Sequence, residues 1–409
     1  MSSRRTAIAL TVCILLIVLF GTRTIRDVIV NVSLTAFSNA RRVFQQSSEL
    51  SGFEGEIIVA SGKELHGITM QKQSPSSRHL FSANDNIANP LWSPEKDKIA
   101  FFVTSGVFEN RNVQGITKYD LAVYDIKSNT IETIASDIEL TSVLQWSSDG
   151  EQLLFLSDTR FVDGITPHVY LYDRESSITL IDLTTKETFN LFRGLVSFAT
   201  WSPDQKHIAF VMLETKSVVF QPDDDAVEIR LPDVSLLDLS NETVSRLTND
   251  TNIESDLHWS PENTAIAFLS QTVHSVDFTL NVLHFTNEST KADTINSSDL
   301  SVASYAWSPN GKSIAFIAAP TYLDPMNWDY DVHMQVYVFS IESKSEIALT
   351  DEMFSKRGIG WSNNGDMIIF FSANPQKPLL LNTINLNNQS KAGFPIVGGV
   401  FANDDFDIR

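Results

Sequence analysis

Six tryptophans set the length scale of this chain. Trp92, Trp146, Trp201, Trp259, Trp307 and Trp361 recur at intervals of 54, 55, 58, 48 and 54 residues. Each belongs to a near-copy of one stretch: "PLWSPEKDKIAF", "LQWSSDGEQLLF", "ATWSPDQKHIAF", "LHWSPENTAIAF", "YAWSPNGKSIAF" and "IGWSNNGDMIIF". A period near 50 residues is that of a ring of small sheets and is too long for most helical repeats. Every unit has the same grammar. A run ending in Trp comes first, then a polar turn, then an apolar run such as "SIAFIA". A second β-rich run follows ("DLAVYDI", "SLLDLS", "VYVFSI"), and then a short one such as "SRLTND" or "EIALTD". Four short strands per unit predict an all-β fold, a β-propeller of four-stranded blades.

The turn explains why the motif recurs. In "WSPNG", Ser308 can accept a backbone hydrogen bond, Pro309 supplies a φ near −65°, and Gly311 tolerates the left-handed conformation that closes a tight hairpin. Gly150 and Gly365 stand at the same place, whereas Lys96, Gln205 and Asn263 replace glycine in the other three units. Asn accepts that conformation better than Lys or Gln. The Trp is large enough to fill the space between neighbouring sheets. Nothing in the motif supplies a base, a metal shell or an activated nucleophile, so it reads as scaffold.

Counting the strand after the turn finds six units, and "GEIIVAS" at 55–61 makes a seventh, with "LHGITMQ" and "RHLFS" as its later strands. That unit has no Trp strand before it. The far end of the chain offers one: "GGVFANDDFDIR", residues 398–409, puts Phe401 and "ANDD" where Trp and "SPDG" stand elsewhere. Sharing a blade between the two ends closes the ring and removes an open edge. Seven blades with a shared closing blade is therefore the favoured expectation, and six is the alternative.

The six Trp-Ser units, each followed by an apolar run of the "IAF" type, resemble TolB-like propeller repeats, which also occur in the propeller halves of prolyl-oligopeptidase-type proteins. The resemblance covers residues 53–409. It implies the fold and leaves the activity open, because that family includes interaction scaffolds, regulatory gates on peptidases and a few enzymes.

The amino terminus has a different character. Arg4 and Arg5 precede an uncharged run from Thr6 to Thr22, and no small-x-small cleavage site follows Phe20. Residues 1–22 read as a transmembrane signal anchor, a cleaved signal peptide being the alternative. Residues 23–52 read as a tether, helical from their apolar spacing and lack of proline. The basic residues before the span favour a cytoplasmic amino terminus with the propeller outside the cytoplasm, periplasmic or at the cell surface. The single cysteine, Cys13, lies within the span, so the body has no disulfide to lean on. All 50 acidic residues follow Arg26, as do all but four of the 30 Lys and Arg, leaving the body at −24. Such an acidic body disfavours nucleic acid as a partner.

In a propeller the connections between second and third strands share one face with those linking successive blades. Here they read as unequal. The Trp92, Trp146, Trp201 and Trp307 units carry "TSGVFENRNVQGITK", "DTRFVDGITPHVYLYDRESS", "ETKSVVFQPDDDAVEIRLPD" and "APTYLDPMNWDYDVH", all read as long loops, and the others are short. Long loops on a rigid scaffold concentrate binding. The candidate partner- or ligand-binding residues are Asp324, Trp328, Asp329, Tyr330, Asp331 and His333 in the last of these, the acidic run Asp223, Asp224 and Asp225, and His168. Exposed aromatics among acids suit a sugar, a cationic peptide or a partner loop. The blander readings are an insert packed on its own blade and a solvated acidic loop.

Catalysis finds little support. There is no G-x-S-x-G elbow, no phosphate loop and no EF-hand calcium loop, and the histidines are scattered without a His-x-His or His-x₃-His pair. No catalytic residue, resident metal or cofactor is assigned. The expected function is a membrane-anchored, exported propeller that binds a protein partner or small ligand on its long-loop face. The alternative is a metal-dependent polysaccharide lyase or hydrolase using the central channel, since some TolB-like lyases acting on uronates use histidine metal ligands.

Overall fold

The computed structural model describes residues 55–395, apart from 72–73, 111–112, 140–143, 162–173, 219–226, 273–274, 276, 286–289, 322–332, 352–354, 363 and 375–376. The expected span (1–22), tether (23–52) and closing segment (398–409) lie outside the described residues. Among the described residues no helix is long and apolar enough to cross a membrane.

Every strand pair among the described residues is antiparallel. The first sheet holds β1 (Gly55–Ser61), β2 (Glu64–Gln71) and β3 (Ser74–Ser82). The Trp92 blade is β4 (Ile87–Trp92), β5 (Lys98–Asn110), β6 (Val113–Asp125) and β7 (Thr130–Glu139). The Trp146 blade is β8 (Leu144–Trp146), β9 (Gln152–Phe161), β10 (Arg174–Asp182) and β11 (Thr188–Gly194). Next come β12 (Val196–Trp201), β13 (His207–Val218), β14 (Val227–Asp238) and β15 (Thr243–Arg246). The Trp259 blade is β16 (Asn252–Trp259), β17 (Ala265–Thr272), β18 (Thr279–Phe285) and β19 (Thr290–Thr294). Then follow β20 (Leu300–Trp307), β21 (Ser313–Pro320), β22 (Gln335–Ser340) and β23 (Ser345–Ala348). The Trp361 blade is β24 (Ser355–Trp361), β25 (Met367–Asn374), β26 (Lys377–Asn385) and β27 (Lys391–Pro395). The described residues thus form six four-stranded blades and one three-stranded sheet, rather than seven complete blades. The four-stranded unit itself is as the repeat predicts, with every strand pairing with its neighbour in sequence.

The apolar run after each turn is continuous because both faces of the second strand are buried between blades. Ile208, Ala209, Phe210 and Val211 are each 0% exposed, and Ile314 to Ala319 likewise. Alternate residues pack toward the preceding and the following blade. Phe210 joins Leu154, Leu156 and Ile178 of the blade before it, while Ala209 and Val211 join Leu257 and Ile266 of the blade after. The core is a set of such wedges.

Each motif serine accepts a hydrogen bond on Oγ from the backbone N–H that starts the second strand, at 2.9–3.0 Å in all six blades. Ser147 and Ser202 donate in turn to Asp149 and Asp204, which holds both carboxyls below the usual range. The last turn position is left-handed whatever residue fills it. Gly311 has φ 67°, and Lys96, Gln205 and Asn263 have 55°, 57° and 59°. Burial of the flanking strands imposes the turn on Lys96 and Gln205 despite their preference. The turns also touch one another: a Cβ added at Gly150 would sit 3.5 Å from Pro94 Cδ, and one at Gly365 3.8 Å from Pro309 Cδ.

The tryptophans link the blades by a directional hydrogen bond. Trp146 Nε1 donates to Leu91 O at 3.1 Å, Trp259 to Thr200 O at 3.3 Å, Trp307 to His258 O at 3.2 Å and Trp361 to Ala306 O at 3.0 Å. In every case the acceptor is the residue before the Trp of the preceding blade. Trp201 departs from this pattern: its Nε1 has no partner, and its backbone N–H donates instead to Gln145 Oε1 at 2.9 Å.

Candidate partner-binding face

A sequential antiparallel meander puts the first and third turns of each blade on one face, and the middle hairpin and the crossover to the next blade on the other. The second face is the one where the blades differ. Strands β5 and β6 run 13 residues each and pair out to Asn110↔Val113. Strands β13 and β14 keep one unbroken register of twelve pairs, from His207↔Asp238 to Val218↔Val227. Strands β9 and β10 pair out to Phe161↔Arg174. By contrast β17 and β18 end at Ser270↔Thr279. The stretches read as long loops in the Trp92 and Trp201 units are therefore mostly ladder. Once two β-rich flanks face each other, backbone pairing extends the hairpin, and the loop shrinks to its tip.

At the root of the β13–β14 hairpin lies a buried ionic cluster. Asp233, fully buried, receives Lys216 Nζ on Oδ1 at 2.6 Å and Arg246 Nη2 on Oδ2. Thr248 Oγ1 lies 3.3 Å from Asp233 Oδ1 and itself accepts from Val234 N at 2.9 Å. Lys216 Nζ also donates to the carbonyl of Asp250, in the crossover to the next blade. One ammonium thus joins the hairpin of the Trp201 blade to the entry of the Trp259 blade. Behind it, Glu254 on β16 is 2% exposed and neither carboxyl oxygen has a well-formed hydrogen bond. Burial, then the carboxylates of Asp250 and Asp233, push it up to about 9, against the opposing pull of Lys216. It is therefore neutral at pH 7, and Asp233 is the carboxylate that both Lys216 and Arg246 contact.

A second buried lysine works the same way. Lys356 on β24, 2% exposed, donates from Nζ to Met334 O at 2.7 Å. Met334 is where the chain returns into β22 after the Trp307 insert. Such anchors tie the hairpin roots to the neighbouring blade: a buried ammonium released from its partners is strongly unfavourable.

Of the residues expected to bind, His333 is described; it is half-buried and stands beside Met334. Asp324, Trp328, Asp329, Tyr330 and Asp331 fall within 322–332, Asp223, Asp224 and Asp225 within 219–226, and His168 within 162–173, all outside the described residues. The described residues bring none of these together. Among them, too, no three His, Cys, Asp or Glu side chains converge so as to hold a metal ion.

Sequence reasoning missed the ionic cluster, although a signal was present. Glu254 and Lys356 each stand five residues before a motif Trp, where the other blades have Ile87, Thr141, Val196 and Val302. A charge in an otherwise uncharged repeat position marks a buried partner.

Six four-stranded blades of one pattern among the described residues, with unequal hairpins rising from one face, define a β-propeller. Residues 107–403 match PD40, the TolB beta propeller domain, and the chain belongs to that family. Tol-Pal system protein TolB of Alcanivorax borkumensis is 24% identical over 164 residues, which are 40% of this chain and 36% of that protein. The match thus spans little more than a third of that relative's length. Among solved structures, oligogalacturonate lyase from Vibrio parahaemolyticus superposes with a TM-score of 0.54 at 14% identity, covering 81% of this chain and 86% of that one. The β-propeller domain of the Trilobed protease from Pyrococcus furiosus, said to reveal an open velcro topology, gives 0.55 at 12% identity, covering 84% and 95%. At these identities the likeness speaks to the fold alone.

Proposed function

We propose that this chain is an exported, membrane-anchored propeller of seven blades, closed by a shared blade, that binds a protein partner on its hairpin face and performs no chemistry of its own. The observation that carries this is the set of extended hairpins on three consecutive blades, one of them clamped at its root by Lys216, Asp233 and Arg246. A rigid projection on a ring is suited to recognition, because little conformational freedom is lost on docking. Family membership supports the reading, as does the name of the relative, a component of a Tol-Pal system. The uncharged run from Thr6 to Thr22 supports the anchor, and Arg4 and Arg5 support the orientation.

The test is affinity capture from detergent-solubilised membranes. The full chain is compared with a variant in which Val218–Val227 is replaced by Asn-Gly, joining the chain at the Ser217↔Glu228 pair and keeping Lys216 in place. A protein recovered by the full chain and lost with the trimmed hairpin supports the reading. Equal recovery by both, or none by either, defeats it. Resistance of the full chain to alkaline extraction from membranes tests the anchor separately.

A further inference from the structure

We propose that the outer groove between the Trp146 and Trp201 blades docks a basic, amphipathic segment of a protein partner, with Phe189 and Val244 as its apolar walls. The groove lies at the rim beside the third turns, away from the hairpin face, and does not rest on the reading given to that face.

Register defines a rule for the rim. On each fourth strand, one residue is in line, across the third strand, with the residue that follows the partner of the motif Trp. In four blades it is Glu132, Phe189, Asp293 or Ile347. Each faces the following blade, as its cross-strand partner does. Val123 packs with Trp146, Leu180 with Trp201, Val282 with Tyr305 and Val338 with Trp361. Glu132 and Asp293 meet a lysine on the following blade's third turn, Lys186 at 2.8 Å and Lys344 at 3.3 Å. Both lysines occupy a left-handed position, with φ 61° and 50°. An ion pair between blades is thus one way the fold closes this rim.

Phe189 departs from it. The side chain is 44% exposed, and the left-handed turn position of the following blade holds Glu242, φ 58°, in place of a lysine. Val244, 40% exposed, faces Phe189 from the other side, because its cross-strand partner Leu237 packs on Leu154 and Leu156 of the Trp146 blade. Leu180, Leu191 and Leu239, all partly buried on that cluster, form the floor. Ile347 also departs from the rule, but the residue opposite it is Lys391, in line with Ile384. Among the described residues no other rim sets two exposed large apolar side chains against each other. A pair that served only to pack on itself would be covered; this one is left as a patch.

Charge selects the partner. Asp182 and Glu187 flank the groove from the β10–β11 turn and Glu242 from the β14–β15 turn. Backbone N–H groups of Thr185 and Thr184 donate to Asp182 and hold its carboxyl below the usual range. The fourth-strand cations nearby are engaged, Lys186 with Glu132 and Arg193 with Glu175, and Lys206 on the β12–β13 turn is the opposing charge. An acidic border around apolar walls suits a segment whose apolar side chains alternate with Lys or Arg. Strand β11 ends its sheet with a free edge of seven residues. An extended segment can therefore add its backbone there while alternate side chains enter the groove.

Two measurements on the full chain in nanodiscs of zwitterionic lipid test this, with empty discs as the blank. Fluorescence anisotropy follows a labelled peptide, acetyl-KLKVKLKVK-amide, and a control of equal charge, acetyl-KSKSKSKSK-amide. The first is expected to bind at least tenfold more tightly than the control, and Phe189→Ser combined with Val244→Ser to remove that advantage. Equal binding of the two peptides, no binding, or indifference to the double substitution overturns the proposal. The second measurement pairs Phe189→Glu with Glu242→Lys, which installs the ion pair of the other rims. Its thermal midpoint is expected within about 2 °C of wild type, with the peptide advantage lost. A larger fall shows that Phe189 serves its own blade and overturns the docking role, as does binding that survives. Trimming the β13–β14 hairpin is expected to leave peptide binding unchanged, so the two readings fail separately.

Discussion

Trp361 Nε1 donates to the carbonyl oxygen of Ala306 at 3.0 Å, joining the innermost strands of two adjacent blades. The bond is repeated by three other motif tryptophans, so the residue that marks the repeat is also what fastens one repeat to the next. Trp361→Phe keeps most of the apolar volume and deletes the donor, leaving a buried carbonyl without its partner. The expected loss is about 1–3 kcal/mol, read as a lower midpoint in urea with an unchanged slope. A midpoint equal to wild type would show that the carbonyl is satisfied otherwise.

Removing the hairpin clamp should be more damaging. Lys216→Met preserves the length of the side chain and takes one of two cations from the fully buried Asp233. Breaking a buried pair from one side is expected to cost about 3–5 kcal/mol. Thermal unfolding followed by circular dichroism checks this, and Lys216→Met combined with Asp233→Leu should recover part of the loss.

Glu254 makes stability depend on pH in a defined sense. Its folded-state value of about 9 lies above the ordinary 4.5, so the folded state holds the proton more tightly than the unfolded state. The contribution is fully present below about 4.5 and is lost as pH rises toward 9. The slope within that window is about 1.4 kcal/mol per pH unit. Glu254→Gln should flatten this dependence, being more stable than wild type at pH 8 and converging with it near pH 4.5. Parallel melting curves across pH 5–8.5 would contradict the assignment.

Left-handed turn residues offer a gain. Lys96 and Gln205 sit at φ 55° and 57°, where Gly150, Gly311 and Gly365 sit in other blades. Lys96→Gly and Gln205→Gly should each stabilise by about 0.5–1 kcal/mol, because the conformation is strained for a side chain with Cβ. Differential scanning calorimetry on the two variants and their combination measures this, and additivity is expected for sites in separate blades.

The repeat made the blade legible. The spacing of Trp92 to Trp361, the serine in each turn and the "IAF" run each have a local cause, so sequence periodicity recorded them directly. The three strands of the first sheet were legible from their own β-rich runs, although that sheet carries no Trp-Ser turn. Hairpin length was misread because polar β-rich segments such as "ETKSVV" resemble loops until a partner strand lies opposite. Strand β13 pairs with β14 through Val218, and no periodicity in either strand alone announces that ladder.

What the sequence determined by itself is the unit: four strands, a serine-capped turn and an aromatic wedge, repeated until a propeller is the only economical packing. What only the tertiary structure decided is how units hold one another. Lys216, Asp233, Asp250 and Glu254 come from four segments of two blades. Their meeting depends on the angle between those blades and on burial that makes each charge need the next.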